Sequence, residues 1–424
     1  MNRLKQIWQA KDVRKKIFFV LAMLVVFRLA AHIPIPGVDV ANLKDFISGN
    51  QILGLINVFS GGGLQNFSIV MLGVGPYITA SIIMQLLTMI VPRLEAMQKE
   101  GEYGQKKINQ YTRLLSVPLA AINAYGFLVL LQRQGQGLLG DMSVFQWITA
   151  ITIATAGTIF LMWIGELITE KKVGNGTSLI IFAGIIASLP TTLSQTFVVF
   201  DASSQVFSLV IFAVLALITI ATIVMITEGQ RNVPVSYARQ VRGGSTTGGV
   251  NTYLPLRVNQ AGVIPIIFAI SIILMPPILG QFFQTSNIPW VAAASASVIR
   301  LFADNVFYGV IYFVLVFIFT YFYTAVIFKP EQIAENLQKQ GAFIPGIRPG
   351  TNTSQYLNSV MNRIILAGAL FLGLIAVLPL IIRPLTGFAS LTIGGTSLLI
   401  VVAVIIETVK QIDAQLVMRD YEGF

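Results

Sequence analysis

The sequence is organised as ten long apolar runs separated by polar segments. Each run is continuously apolar and does not alternate, which favours helices over the strands of a membrane barrel. A helix of about 20 apolar residues crosses the hydrocarbon core of a bilayer, where only helices and closed barrels satisfy every backbone polar group. The pattern therefore predicts ten transmembrane helices, at about residues 17–34, 70–91, 113–132, 147–168, 178–196, 206–227, 261–280, 306–328, 363–382 and 391–409.

The first run, Ile17–Ala31, follows a basic arm and resembles a signal peptide in outline. It lacks a convincing small-residue cleavage site, and Pro34 and Pro36 come soon after it. We therefore expect it to be retained as the first span. With an even number of spans, both termini then lie on the same side of the membrane.

The composition agrees with a chain that is mostly embedded in a lipid bilayer. Hydrophobic residues make up 55% of the chain and charged residues 11%, with a mean hydropathy of +0.77, whereas soluble domains carry about 25% charged residues. The absence of cysteine excludes disulfides and thiolate chemistry. His32 is the only histidine, which excludes a histidine metal cluster.

The net charge of +10 has two possible explanations: contact with nucleic acid, or the orientation of the chain in a membrane. With a cytoplasmic N-terminus, 23 of the 28 lysines and arginines fall on the cytoplasmic side and 5 on the outer side. This asymmetry follows the positive-inside rule. It favours orientation as the cause, and it predicts that both termini are cytoplasmic.

Charged residues are almost absent from the centres of the runs. Glu166, Glu228 and Glu407 lie near cytoplasmic ends and Arg28 near an outer end, where long side chains reach water. Carriers and pumps keep charges at mid-membrane although each costs about 2.5–3.5 kcal/mol there. No phosphate loop or His-Glu-x-x-His motif is present in the sequence. We therefore expect no catalytic site, no cofactor and no bound metal, but a pathway lined by apolar side chains.

Two halves of five spans each, at 1–200 and 201–424, would have opposite orientations. Inverted repeats of this kind place a pathway at their interface, so an inverted-repeat secondary transporter is the alternative hypothesis. The predicted cytoplasmic loops at 229–258 and 329–361 are basic and far longer than the usual connection of about 4–6 residues. They are either tolerated insertions or a docking surface for a cytoplasmic partner.

The second apolar segment is broken. Residues 53–68 are moderately apolar, too short to cross, and interrupted by Gly61–Gly63. Such a piece is a re-entrant element, weakly held because glycines cost helix stability, or else an ordinary outer loop. In the span that follows, Val74 and Ile78 are four residues apart and share one helical face.

Six motifs, in order along nearly the whole chain, resemble the SecY/Sec61-alpha family, whose members form the core of protein-conducting channels. They are Leu72–Leu87 (LGVGPYITASIIMQLL), Asn57–Gly62 (NVFSGG), Gly174–Ser178 (GNGTS), Asn259–Pro265 (NQAGVIP), Gly341–Gly350 (GAFIPGIRPG) and Gly394–Ile400 (GGTSLLI). The resemblance implies an all-α membrane fold, with spans 1–5 and 6–10 as two pseudo-symmetric inverted halves around an hourglass pore.

The resemblance also implies a pore ring and a plug. The ring would be Val74, Ile78, Thr177, Ile181, Ile267 and Ile400, of which Thr177 departs from the aliphatic pattern. The plug, about residues 57–67, would include Asn57, Phe59, Ser60, Gly61, Gly62, Gly63 and Leu64. A lateral gate would lie between spans 2–3 and spans 7–8. Gln85 and Asn123, in the gate helices, would either bond across the closed gate or simply join helices.

The family further implies the partners. SecE and SecG would complete a heterotrimer in the bacterial plasma membrane. The SecA ATPase or the ribosome would dock on the cytoplasmic loops through Arg239, Arg242 and Arg348, since arginine suits carboxylates and the phosphates of ribosomal RNA. The substrates would be signal sequences and secretory polypeptides, with membrane segments released into the lipid bilayer.

Overall fold

The computed structural model of the protein describes residues 8–36, 43, 47, 57, 60–134, 143–199, 206–237, 240–242, 245–247, 251–284, 288–386 and 394–422. In the first part of the chain the helices are α1 (Lys11–Ala30), α2 (Gly75–Ile90), α3 (Pro92–Lys99), α4 (Glu102–Gln134), α5 (Val144–Glu170), α6 (Gly176–Val199) and α7 (Val206–Glu228). In the second part they are α8 (Ile264–Phe283), α9 (Pro289–Ala303), α10 (Asn305–Ile327), α11 (Pro330–Lys339), α12 (Thr351–Thr386) and α13 (Gly394–Glu422).

All ten predicted runs fall on helices. By length and composition, four of the described helices can cross a membrane, or five if α2 and α3 count as one broken span, and shorter apolar helices accompany them. The chain bends by 99° between α2 and α3, because Pro92 keeps Val91 in an extended conformation and ends α2 there. Helix α9 was not predicted. It is apolar but only 15 residues long, which is too short to cross.

Local sequence explains several helix starts. Pro76 occupies the first turn of α2, where a missing N–H costs nothing. Ser143 and Gln146 form a capping box at the start of α5. Asp304 caps α10, accepting hydrogen bonds from the N–H groups of Val306 and Phe307 at 3.3 and 3.4 Å.

The predicted cytoplasmic loops are not simple loops. The first contains the strands β1 (Gln230–Tyr237), β2 (Gln240–Arg242), β3 (Ser245–Thr247) and β4 (Asn251–Arg257), and the second contains β5 (Ala342–Phe343). Strand β1 pairs antiparallel with β4 on one side and with β5 on the other, while β2 and β3 form a separate hairpin. The two loops are therefore joined in one small sheet.

This sheet has its own apolar core. Its buried members come from both loops, from the residue after α10 and from the amino-terminal part of α12: Val233, Val235, Leu256, Phe328, Ala342, Ile344, Leu357, Val360, Met361, Ile364 and Ile365. Burial alternates along β1 at Val233 and Val235, as expected for a half-buried strand. The core fixes the sheet against α12.

The helices pack in two neighbourhoods that meet along α8 and α13. In the first, α2 packs on α4, α4 on α5, and α5 on both α1 and α6. In the second, α8 packs on α9 and α10, α10 on α12, and α7 on α12 and α13. Helix α8 contacts α2 and α4 of the first neighbourhood, and α13 contacts α1 and α6. An apolar cavity lies where α8 meets α2 and α4.

Candidate functional site

Residues 60–67 of the predicted plug fold as a series of turns before α2. Asn57 organises these turns: its Oδ1 accepts from the Gln65 N–H at 2.8 Å, and its Nδ2 donates to Gln65 Oε1 at 3.1 Å. The Ser60 hydroxyl donates to the Asn57 carbonyl at 3.0 Å and accepts from the Leu64 N–H at 3.0 Å. Leu64 and Ser60 are buried. Phe59 lies outside the described residues.

The glycines of this segment have a different role from the one expected. Gly61 and Gly62 adopt the left-handed backbone, with φ of +69° and +81°, which glycine reaches without steric cost. A methyl group on Gly61 would lie 2.6 Å from Phe27 Cζ and 3.1 Å from Gly184 Cα. The glycines therefore allow a tight turn that contacts α1 and α6. They do not weaken a helix, since the segment is not helical there.

Five of the six predicted ring residues come together in one buried apolar cluster. Val74 caps the start of α2 and Ile78 lies one turn further, Ile181 is on α6, Ile267 on α8 and Ile400 on α13. Each of these side chains is at most 8% exposed. This cluster is the main buried core of the helices, and four helices from both neighbourhoods contribute the five side chains to it.

Thr177 has different surroundings from the other five. It lies at the start of α6 beside Gly165 of α5, where a methyl group built on Gly165 would be 3.6 Å from the Thr177 hydroxyl. It is half-buried and is not among the residues that line the cavity described next. The role of all six residues as a pore ring stays a prediction.

A cavity of about 250 Å³ opens from this cluster between α2 and α4 on one side and α8 on the other. Its lining includes four ring residues, Val74, Ile78, Ile181 and Ile267, together with Leu64 of the plug. The remaining lining is mostly aliphatic, and α8 contributes Ile270, Leu274, Met275 and Leu279. The cavity therefore lies between the helices of the predicted spans 2 and 3 and that of the predicted span 7, and Leu64 of the predicted plug lines part of it.

The two polar residues predicted for the gate are placed differently. Asn123 lines the cavity and is exposed. Gln85 is half-buried, and its Oε1 atom has no hydrogen-bond partner among the described residues. Both residues lie on the same side of the cavity, on α2 and α4, and the Gln85 Oε1 atom makes no bond across it to any described residue. Gln85 retains an unused acceptor inside the helix bundle.

Two acids near the carboxyl ends of apolar helices form ion pairs. Glu166 accepts from Arg113 at 2.7 Å, and Glu228 pairs with Lys410 at 2.8 Å. Arg28, near the other end of its helix, is half-buried, and its guanidinium donates to the Gly61 carbonyl of the predicted plug. The searched part of the chain holds no group of three or more histidine or acidic side chains that could bind a metal.

Arg348 sits at an exposed turn of the second cytoplasmic loop. Gly346 and Gly350, on either side, have φ of +82° and +99°, and the Arg348 carbonyl accepts from the Thr353 hydroxyl at 3.0 Å. The backbone is held while the side chain faces solvent. Arg242 ends β2, with its side chain outside the described part of the structure, and Arg239 lies outside the described residues altogether.

Comparison with known proteins decides the family. The SecY family model matches residues 68–409. The chain belongs to the SecY family. The protein translocase subunit SecY of Streptomyces galbus is 44% identical over 441 residues and covers 98% of both chains. That of Corynebacterium glutamicum is 45% identical over 442 residues, covering 100% of this chain and 99% of its own.

Solved structures agree with the fold of this SecY-family chain. A protein-conducting channel matches with a TM-score of 0.64 at 16% identity, over 94% of this chain and 91% of its own. Sec61 from a canine ribosome–channel complex matches with a TM-score of 0.61 at 16% identity, over the same shares. The predicted family and the predicted all-α, multi-pass membrane fold are confirmed.

Sequence reasoning missed two features of the site. The first is the contact between Arg28 and the Gly61 carbonyl, for which the sequence offered only an arginine near the end of a span. The second is the sheet that joins the cytoplasmic loops. The alternation of apolar residues around Val233 and Val235 could have indicated a strand, but not its partner.

Proposed function

We propose that this chain is the central pore-forming subunit of the Sec translocon. Unfolded secretory polypeptides pass through it across the bacterial plasma membrane. Membrane segments leave sideways into lipid through the gate between α2–α4 and α8–α10. The chain is a passive channel without catalytic chemistry of its own, and its halves at 1–200 and 201–424 open around the pathway.

The convergence of the aliphatic ring with the plug carries this proposal. Val74, Ile78, Ile181 and Ile267 line the same cavity as Leu64, so the proposed constriction and the proposed plug face a common space. A polypeptide needs a path between the helices. The junction of the two neighbourhoods can widen by moving one group of helices away from the other, without unfolding any helix. The cavity lies at that junction.

The chemistry of the ring suits a passive channel. Isoleucine and valine are β-branched and stiff, and they offer a passing peptide no hydrogen bonds. A narrow apolar constriction also loses its water, which blocks ions while the channel rests. The same property argues against the transporter alternative, because a carrier needs polar or charged groups that bind its substrate.

The proposed partners fit the cytoplasmic surface. The relatives are subunits of a protein translocase, and one structural neighbour comes from a ribosome–channel complex. We place SecA or the ribosome on the sheet formed by both loops, with Arg348 as the main contact. SecE and SecG complete the complex, and both termini are cytoplasmic.

The direct test is reconstitution. The chain is purified with its SecE and SecG subunits, placed in lipid vesicles, and supplied with SecA, ATP and an unfolded secretory protein. We expect ATP-dependent protection of the substrate from added protease, which a substrate with a defective signal sequence does not show. An assembled complex that protects no substrate would contradict the proposal, and uptake of small solutes against a gradient would support the transporter instead.

A further inference from the structure

We propose that Arg28 is a latch that holds the plug closed. The inference deepens the proposed function and rests on it, because a latch has a role only if the plug has to leave. Nothing in the sequence motifs points to Arg28. The argument comes from how the plug is attached to the wall of the channel.

The contacts of the plug with the wall differ between its base and its tip. At the base, residues 66–69, the plug pairs through its backbone with the segment that follows α1. The Ile35 N–H donates to the Phe67 carbonyl at 2.8 Å, and the Ile69 N–H donates to the Ile33 carbonyl at 3.0 Å. The Asn66 side chain adds a bond to the Ala31 carbonyl at 3.3 Å. These bonds lie next to the start of α2, where they can persist as a hinge while the tip moves.

At the tip, residues 60–64, the contacts are of another kind. The hydrogen bonds of Ser60 and Leu64 with the Asn57 turn are internal and can travel with the plug. Leu64 is buried in an apolar cluster with Phe67 and Leu128, and Gly61 packs against Phe27 and Gly184. Among the described residues, the only side chain of the wall that bonds to the tip is Arg28, through the Gly61 carbonyl.

The geometry of Gly61 makes this contact possible. Its left-handed backbone and the lack of a side chain let the turn approach α1 and α6 closely. The Gly61 carbonyl then meets the last turn of α1, from which Arg28 extends. The carboxyl end of α1 also favours a cation at this position.

The strength of the contact suits a latch. Among the described residues Arg28 forms no ion pair with an acid, so a neutral carbonyl is its partner. A hydrogen bond from a charged donor to a carbonyl is stronger than a neutral one. Breaking it leaves the guanidinium facing the outer side, where water can replace the carbonyl. The hydrogen bond is thus strong enough to favour the closed position of the plug and weak enough to break when the channel opens.

The test measures plug seating without relying on transport. The chain has no cysteine, so Leu64→Cys gives a single thiol at a fully buried tip position. The complex with its partner subunits is placed in vesicles, and a membrane-impermeant maleimide is added from the outer side. The labelling rate then reports how often the tip leaves its seat.

In this background Arg28→Met should raise the labelling rate about ten-fold or more, the usual effect of losing a charged hydrogen bond. Arg28→Lys, which keeps the charge, should raise it less. Arg28→Gln provides a second neutral variant if Arg28→Met fails to assemble. The matched control is Arg300→Met, an exposed outer arginine on α9, which should leave the rate unchanged.

The outcomes separate the latch from the proposed function. A labelling rate that neither neutral variant raises would overturn the latch, even if the parent complex transports normally. An equal rise in Arg300→Met would also overturn it, because the effect would then be general. A raised labelling rate in Arg28→Met without any change in transport or ion leak would support the latch and count against the plug's proposed role.

Discussion

Replacing Gly157 with alanine should displace the segment that leads from the plug into the ring. Gly157 lies on α5 and faces the backbone of residues 69–70. A methyl group there would lie 1.8 Å from the Ile69 carbonyl oxygen, whereas real contacts are not closer than 3.0 Å, so one backbone must move by at least about 1.2 Å. The obstacle is main chain, which cannot turn aside as a flexible side chain can.

Overpacking of this kind costs about 1–3 kcal/mol, and the better helix propensity of alanine returns up to about 1 kcal/mol. Because the obstacle is main chain, we expect the overpacking cost at the upper end of its range. After the gain in helix propensity, Gly157→Ala should lower the free energy of unfolding by about 2 kcal/mol. Because Ile69 is five residues before Val74, the displacement should also reach the ring and raise the resting ion conductance.

The matched control is Gly126→Ala on α4, where an added methyl group meets nothing within 4 Å. This variant should keep or slightly raise the stability, since only the helix propensity changes. Both variants are measured by denaturant titration of the purified complex and by ion flux into vesicles. Equal stability of Gly157→Ala and the parent, or an equal loss in Gly126→Ala, would refute the reasoning.

Three further predictions concern the loops and the plug. Arg348→Glu should block SecA-driven transport while the protein stays folded and inserted, because it reverses the charge of an exposed, rigidly held contact. The control is Lys339→Glu on the same loop. Lys339 is already paired with Glu335, so this variant should retain transport. Deletion of residues 58–65 should raise the resting ion leak, and an unchanged conductance would argue against a plug. Leu256→Ala should cost the sheet about 2–5 kcal/mol, and hydrogen exchange should then speed up in β1, β4 and β5 together. Faster exchange confined to β4 would show that the loops are not one unit.

The helices were predictable because each depends on local composition. A run such as 206–227 is apolar along its whole length, and lipid leaves its backbone little choice but a helix. Pro92 and the capping box of Ser143 likewise mark helix ends within a few residues. These signals need no knowledge of the rest of the fold.

The sheet could not be found in this way, because its strands are far apart in the chain. Ser236 pairs with Phe343, and Tyr237 with Ala342, across four intervening helices of the C-terminal part. Two residues of β5 carry no detectable pattern, since a strand signal needs several alternating positions. The pairing depends on the amino-terminal part of α12, against which the sheet packs.

The site shows the same division between local and non-local information. Val74 and Ile78 could be grouped from their spacing on one helix, but Ile181, Ile267 and Ile400 came only from resemblance to a family. The bond from Arg28 to Gly61 joins a span to a turn 33 residues away. It required the left-handed backbone of Gly61, which sequence alone suggests only as a possibility.

The central claim is that a polypeptide passes through the ring, and cross-linking tests it most directly. Single cysteines are placed at Ile78 and Ile267, and a secretory chain with one cysteine is stalled during transport. A disulfide forms only when Cα atoms come within about 7 Å, so it reports direct passage. We predict disulfides from both positions and none from Leu217→Cys, an exposed position on α7. Links from Leu217→Cys with none from either ring position would contradict the account.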